Sequence, residues 1–214
     1  PPDRAATTPT PTTADPAAKA ALLDDLDQQA FDQLIRELSG DTPIWNQGQP
    51  STIATRFYRT TGNDLATDHL AQKLAGWGYA VELDTFSVWG TTCRNVVATA
   101  TGSVTPQEVV VVGGHFDSTS PQADSLAPGA EDNASGTSLV MELARAAAGR
   151  EFERTVQFVL FDAEEVGLLG SQHFVDQAVA EGRQIIAAIT ADMVAYYNDD
   201  YGVLIEGDEP WDWL

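Results

Sequence analysis

Apolar residues along the chain follow two spacings, one typical of helices and one typical of strands buried in a sheet. From Ala20 to Leu38 they recur every three or four positions, which predicts a helix that ends near Gly40. Later segments alternate between helical spacing and short apolar runs. They predict helices at 65–75, 135–148 and 168–180, and strands at 80–86, 95–100, 108–112, 155–161, 185–191 and 203–205.

The order of these elements indicates one α/β domain. The runs at 109–112, 155–161 and 185–191 are rich in apolar residues, as expected for strands with helices on both faces of a sheet. Strands that alternate with helices predict a mostly parallel mixed sheet between two helical layers, a three-layer sandwich. Residues 1–18 are rich in Pro, Thr and Ala and predict a flexible lead-in, so we place the domain at 19–214.

Composition narrows the classes of partner. The formal charge is -21, from 32 acidic and 11 basic residues, which disfavours nucleic acid and anionic membranes. No apolar run approaches the roughly 18–20 residues that span a bilayer. Cys93 is the single cysteine, so no disulfide forms within the chain, and we interpret it as an inert small residue. We expect a secreted, extracellular protein, although the sequence contains no signal peptide, and its oligomeric state stays open.

The first candidate site residues in the chain come directly after the strand predicted at 108–112. His115 follows Gly113 and Gly114, which we expect to let the backbone turn at the edge of the sheet. Asp117 stands two residues later. A carboxylate at that distance typically orients a metal-binding histidine through its other ring nitrogen. An ordinary polar loop is the alternative for this pair taken alone.

Four further carboxylates stand at similar positions: Asp132 before the 135–148 helix, Glu164 and Glu165 after the 155–161 strand, and Asp192 after the 185–191 strand. Helix capping or solvated loops would explain each one separately. Because parallel strands end at the same edge of a sheet, we expect them to lie together with His115 as a metal site. Adjacent side chains point in opposite directions, so one glutamate can bind metal while the other transfers protons.

The motifs GGHFDS, PGAEDNASG, AEEVGLLGS and ADM occur in the order found in the di-zinc exopeptidase family. That family includes secreted bacterial aminopeptidases, glutamate carboxypeptidases and glutaminyl cyclases, and the resemblance extends over about 56–192. It implies two Zn²⁺ ions per complete enzyme. By this resemblance His115, Asp132 and Asp192 hold one zinc, Asp132 and Glu165 hold the second, Glu164 is the general base and acid, and Asp117 orients His115.

Two features depart from the family pattern. Glu131 stands where the family usually has Asp, and the family needs a further histidine ligand well downstream. His69 and His173 fall on other predicted helices and are not expected to supply it. We therefore expect a member that lacks its C-terminal part, with the fifth ligand beyond residue 214, and little activity from this segment alone.

The resemblance implies a zinc-dependent exopeptidase that hydrolyses peptides with a metal-bound hydroxide. The carboxylate-rich site suits the protonated amine of a substrate, and no arginine in the four motifs would pair with a terminal carboxylate. Both features favour an aminopeptidase. A carboxypeptidase or a glutaminyl cyclase on the same scaffold remains an alternative, as does a non-catalytic interaction domain, against which Glu164 argues. The preferred substrate side chain is not predicted.

Overall fold

The computed structural model describes residues 16–196. Its helices are α1 (Pro16–Asp24), α2 (Gln28–Leu38), α3 (Thr61–Gly76), α4 (Gly136–Ala147) and α5 (Leu169–Glu181). Its strands are β1 (Ile44–Asn46), β2 (Gln49–Ser51), β3 (Ala80–Val88), β4 (Thr91–Ala100), β5 (Thr105–His115), β6 (Arg154–Phe161) and β7 (Gln184–Thr190). An irregular turn, Ala130–Ser135, precedes α4. Among these helices, none is both long and apolar enough to span a bilayer.

The central sheet has five strands in the order β3-β4-β6-β5-β7. β5 pairs in parallel with β6 and β7, whereas β4 is antiparallel to both of its neighbours. Four of the five strands therefore run in the same direction, which confirms the predicted mixed α/β sheet. The carboxyl ends of β5, β6 and β7 lie side by side at one edge of the sheet.

Helices cover both faces of this sheet. Val96 and Ala98 of β4 belong to a core that includes buried residues of α2, α3 and α4. Val97, between them in the sequence, packs in a second core with Phe174 of α5. Neighbouring residues of a strand point to opposite faces, so the two cores show that β4 is covered on both sides.

Two helix starts differ from the prediction because local side-chain caps override the apolar periodicity. The predicted helix at 20–38 is divided into α1 and α2, since Asp27 accepts a hydrogen bond from the backbone N–H of Gln29 and begins a new helix. α3 begins well before residue 65, because the hydroxyl of Thr60 accepts from the N–H of Asn63. α1 begins at Pro16, inside the range predicted as a lead-in.

The two glycines before His115 have a different role from the predicted one. Gly113 and Gly114 continue β5, which ends at His115, so the backbone does not turn there. A Cβ atom at Gly113 would lie 2.8 Å from the ring of Phe161, and one at Gly114 would lie 3.0 Å from the carbonyl of Ala191. The glycines thus allow close packing of β6 and of the segment after β7.

β7 is present as predicted, but the expectation that it is buried on both faces is wrong for the described residues. It forms one edge of the sheet, and Ile186 and Ile189 are 50% and 65% exposed. An apolar run does not distinguish a central strand from an edge strand, because burial depends on the neighbouring elements. The strand predicted at 203–205 lies outside the described residues.

Candidate metal centre

Three donor groups from separate elements converge where β5 and β7 end. His115 is the last residue of β5, Asp132 lies in the irregular turn, and Asp192 follows β7. One ligand atom from each lies within 4.8 Å of the other two. Nε2 of His115 is 3.3 Å from Oδ1 of Asp132 and 3.6 Å from Oδ1 of Asp192. The structure therefore brings together the three residues assigned to one metal ion by the resemblance.

The imidazole of His115 is buried and fixed on its Nδ1 side. Nδ1 lies 3.4 Å from the Oδ1 atom of Asp117 and 3.3 Å from its carbonyl oxygen. Burial disfavours the imidazolium, but the carboxylates of Asp117, Glu164 and Asp192 outweigh it and raise the pKa of His115 to about 9. With Nδ1 facing Asp117, Nε2 is the nitrogen that faces the other carboxylates and could bind a metal ion.

Asp117 also organises the pair of glutamates, a role that was not predicted from the sequence. Its fully buried carboxylate accepts hydrogen bonds from the backbone N–H groups of Glu164, at 3.0 Å, and Glu165, at 3.2 Å. The preceding residue, Ala163, has a φ of 55°, so the chain turns sharply there. One carboxylate thus fixes both His115 and the segment that carries the glutamates.

The two glutamates occupy distinct positions. Oε2 of Glu164 is 3.8 Å from Nε2 of His115, and its side chain is partly exposed. Glu165 is not part of the close group of three donors. Burial raises the pKa of Glu164, and burial with the nearby carboxylates of Asp132 and Asp117 raises the pKa of Glu165 to about 7. Both shifts favour the protonated acids, because burial and the neighbouring carboxylates disfavour the charged form.

The segment that carries Asp192 is held against the irregular turn by a fully buried side chain. Oδ1 of Asn133 accepts from the N–H groups of Gly136 and Met193, and its Nδ2 donates to the carbonyl of Ala191 at 3.0 Å. Asn133 directly follows Asp132 in the chain. The same side chain therefore sets the separation of Asp132 and Asp192.

Two neighbours of Asn133 extend this connection. The hydroxyl of Ser135 accepts from the N–H of Val194, and the carboxylate of Glu131 accepts from the N–H groups of Ala195 and Tyr196. Asn133 and Ser135 both stand where the helix predicted at 135–148 begins, and no role in the site was predicted for either of them. Their contacts with residues 191–196 join parts of the chain about 60 positions apart. The spacing of residues within a short segment therefore does not predict these contacts.

Replacing Asn133 with Ala tests this connection. We expect the free energy of unfolding to fall by about 1–3 kcal/mol, since buried backbone groups lose their partners. We also expect binding of a divalent metal ion to weaken by roughly 10-fold, the lower range for loss of an orienting contact. Isothermal titration calorimetry and urea unfolding measure the two effects.

The matched control is Thr155→Val, at the opposite end of β6. Its buried hydroxyl donates to the carbonyl of Pro106 and accepts from the N–H of Gly102. This variant should lose stability without a change in metal affinity. Equal metal affinity in Asn133→Ala and the native chain would show that Asn133 does not set the geometry of the site.

The two other histidines of the chain lie elsewhere. His69 on α3 is 2.8 Å from a carboxylate oxygen of Glu37, and His173 on α5 is 2.9 Å from one of Asp84. Neither belongs to the group around His115, as the sequence analysis expected. Among the described residues, the nitrogen and carboxylate donors of that group match the ligands that zinc prefers.

Cys93 does not contribute to the site chemistry. The thiol is buried in an apolar cluster with Tyr58, Val88 and Ala163. Burial, with the nearby carboxylate of Asp162, raises the pKa of Cys93 to about 12. A thiol that is protonated at neutral pH is a poor nucleophile, in agreement with its interpretation as an inert residue.

Comparisons with known proteins identify related chains. A family model described as "Peptidase family M28" matches residues 95–213. A probable aminopeptidase of Saccharomyces cerevisiae is 27% identical over 187 residues, which cover 80% of this chain and 50% of the relative. A probable zinc metalloprotease of Pyrenophora tritici-repentis is 31% identical over 178 residues, which cover 75% and 37%. The chain thus spans half or less of the length of these relatives.

Solved structures share the fold. The zinc aminopeptidase BSAP from Bacillus subtilis superposes with a TM-score of 0.66 at 16% identity, over 78% of this chain and 69% of that one. A glutaminyl cyclase of Bacteroides thetaiotaomicron superposes with a TM-score of 0.61 at 20% identity, over 79% and 63%. Because identities this low establish the fold alone, they do not separate the two activities.

Proposed function

The chain belongs to peptidase family M28, and on that premise we propose that it is the metal-binding part of a zinc-dependent aminopeptidase. The observation that carries the proposal is the convergence of Nε2 of His115 with the carboxylates of Asp132 and Asp192, beside Glu164. The names of the relatives, a probable aminopeptidase and a probable zinc metalloprotease, support the activity and the metal. Peptides are the proposed substrates.

His115, Asp132 and Asp192 are the proposed ligands of one zinc ion. Asp132 and Glu165 are proposed to contribute to a second. Zinc bound there would polarise the scissile carbonyl and lower the pKa of a water molecule. Asp117 lies beside Nδ1 of His115, which would leave Nε2 to hold the ion, and it fixes the backbone of both glutamates.

Glu164 is the proposed general base and acid. Its raised pKa and its position 3.8 Å from Nε2 of His115 suit a group that takes the proton of the attacking water and passes it to the leaving amine. Carboxylates that surround the site favour a protonated substrate amine. Arg56, whose charge lies close to the site, is fully buried and donates to backbone carbonyls, so it does not offer a partner for a substrate carboxylate.

Parallel assays on the full-length protein test the activity. We expect zinc-dependent hydrolysis of an aminoacyl arylamide, loss of hydrolysis after treatment with a chelator, and recovery with zinc. The same substrate with an acetylated amine is the control and should not be hydrolysed. Hydrolysis restricted to C-terminal residues, or cyclisation of N-terminal Gln peptides, would instead identify one of the alternative activities. No turnover of any of these with zinc present would contradict an exopeptidase.

Zinc titration of the 214-residue chain tests the site itself. We expect about one zinc ion per chain, because three donors lie together for one ion and only two residues are assigned to the second. At pH 7 binding should release about one proton, since His115, with a pKa of about 9, is protonated and must lose a proton to bind a metal. Calorimetry in buffers with different ionisation enthalpies measures this release. Binding enthalpies that are equal in all buffers would contradict the assignment of His115.

A further inference from the structure

Arg56 is a fully buried arginine whose guanidinium donates to four backbone carbonyl oxygens. Nε donates to Phe116 at 2.6 Å, and Nη2 donates to Gly129 at 2.9 Å. Nη1 donates to both Leu38, at 2.5 Å, and Pro128, at 2.8 Å. In the part of the chain that the structure describes, no carboxylate forms an ion pair with it. The side chain is therefore placed by the backbones of three separate segments.

Two of these segments carry the metal-binding groups. Phe116 lies between His115 and Asp117, and Gly129 lies at the start of the irregular turn that contains Asp132. Arg56 thus holds together the 115–118 segment and the 127–132 segment, which have no shared regular secondary structure. The connection also reaches the last residue of α2, where a cation is favourable at the carboxyl end of a helix.

The main chain of Arg56 reinforces the same connection. Its N–H donates to the hydroxyl of Ser118 at 3.2 Å, and its carbonyl accepts from the N–H of Ser118. That hydroxyl donates in turn to the carbonyl of Ala127 at 2.7 Å. One residue consequently contacts both segments through its backbone and through its side chain.

The charge of Arg56 is balanced at longer range. Burial lowers the pKa of its guanidinium to about 10, against the opposing effect of Asp117, Asp132 and Glu165. The group therefore stays charged at neutral pH. A buried charge without a paired counter-ion is costly, and here the acidic groups of the site provide the compensating field.

We propose that Arg56 is a positioning residue of the metal centre, which holds the 115–118 and 127–132 segments in the separation that lets His115 and Asp132 bind the same ion. The proposal rests on the proposed zinc site. Two other roles predict different results. If Arg56 acted only through its charge, its removal would strengthen zinc binding, because a cation repels a cation. If it served only stability, zinc affinity would follow stability in unrelated core variants.

Arg56→Lys and Arg56→Met separate these roles. Lysine keeps the charge but donates from a single nitrogen, which cannot bridge four carbonyls as the planar guanidinium does. Methionine has neither charge nor donors. We expect both variants to bind zinc at least about 10-fold more weakly than the native chain in competition with a chelating dye. Native affinity in Arg56→Lys, or tighter binding by Arg56→Met, would overturn the proposal.

A spectroscopic signature and a matched core variant exclude a general effect of stability. Visible absorption of bound Co²⁺ reports ligand geometry, and it should change in Arg56→Lys. Leu70→Ala removes a fully buried aliphatic side chain of α3 and leaves a cavity in the core, which lowers the stability of the fold. It should leave zinc affinity and the Co²⁺ spectrum unchanged. An equal loss of zinc affinity in Leu70→Ala would mean that Arg56 acts through stability, against the proposal.

Ser118→Ala tests the same connection without removing the buried charge. It deletes the hydroxyl that accepts from the backbone N–H of Arg56 and donates to the carbonyl of Ala127. If the Arg56 variants do not fold cooperatively, this variant is the test. It should weaken zinc binding while cooperative unfolding is retained, and unchanged affinity would overturn the proposal. A native chain that does not bind zinc would instead contradict the proposed function, so the two failures are distinguishable.

Discussion

Glu164→Gln is expected to leave zinc content near that of the native protein while it lowers kcat by about 10²- to 10⁴-fold, the usual range for loss of a general base. The amide keeps the size of the side chain but cannot accept a proton from water. Glu164 lies 3.8 Å from Nε2 of His115, outside the group of three donors, so metal binding should not depend on its charge. Turnover of an aminoacyl arylamide and elemental analysis of the same preparation measure the two quantities.

Glu165→Gln is the matched control for this prediction. It is the adjacent residue, carries the same chemical change and has a backbone N–H held by the same carboxylate of Asp117. Because Glu165 is proposed as a ligand of the second zinc ion, its replacement should lower the zinc content of the full-length protein. If the two variants had the same zinc content and the same residual turnover, the division of roles between Glu164 and Glu165 would be wrong.

The second large effect concerns His115 and Asp117. Asp117→Asn should weaken zinc affinity by roughly 10–100-fold, as is typical when the partner of a ligating histidine is changed. His115→Ala should weaken it further, because a ligand is removed. Asp117→Asn should also lower kcat, since an asparagine has one acceptor oxygen where two backbone N–H groups, those of Glu164 and Glu165, now donate.

Asp124→Asn is the control for these variants. Asp124 is an exposed aspartate paired with Arg59, so the same change in charge occurs outside the metal centre. Its replacement should not alter zinc affinity or kcat. If zinc binding were weaker in Asp117→Asn than in His115→Ala, the assignment of His115 as the ligand and Asp117 as the orienting residue would be contradicted.

The sequence predicted the placement of the donors because that placement depends on simple topology. His115, Asp132 and Asp192 follow apolar runs or precede a helix, and such positions meet at one edge of the sheet where neighbouring strands, here β6, β5 and β7, are parallel. The same reasoning placed His69 and His173 away from the site. Strand and helix periodicity was therefore sufficient to predict which side chains lie together.

The supporting contacts could not be predicted in this way. Asn133 and Arg56 bind backbone groups of residues that are distant in the sequence, and backbone acceptors leave no pattern of residue types. Gly113 was interpreted as a turn residue because glycine serves both turns and close packing, and only the neighbouring ring of Phe161 distinguishes the two. The exposure of β7 depends in the same way on which elements lie beside it.

Anomalous X-ray scattering at the zinc edge, from crystals of the chain grown with zinc, tests the central claim most directly. We predict a peak within about 2.0–2.2 Å of Nε2 of His115 and of one carboxylate oxygen each from Asp132 and Asp192, the usual zinc–ligand distances. The carboxylate of Glu164 should lie close to this peak without binding the zinc. A zinc peak held by other residues, or no peak at His115 in zinc-saturated crystals, would contradict the account.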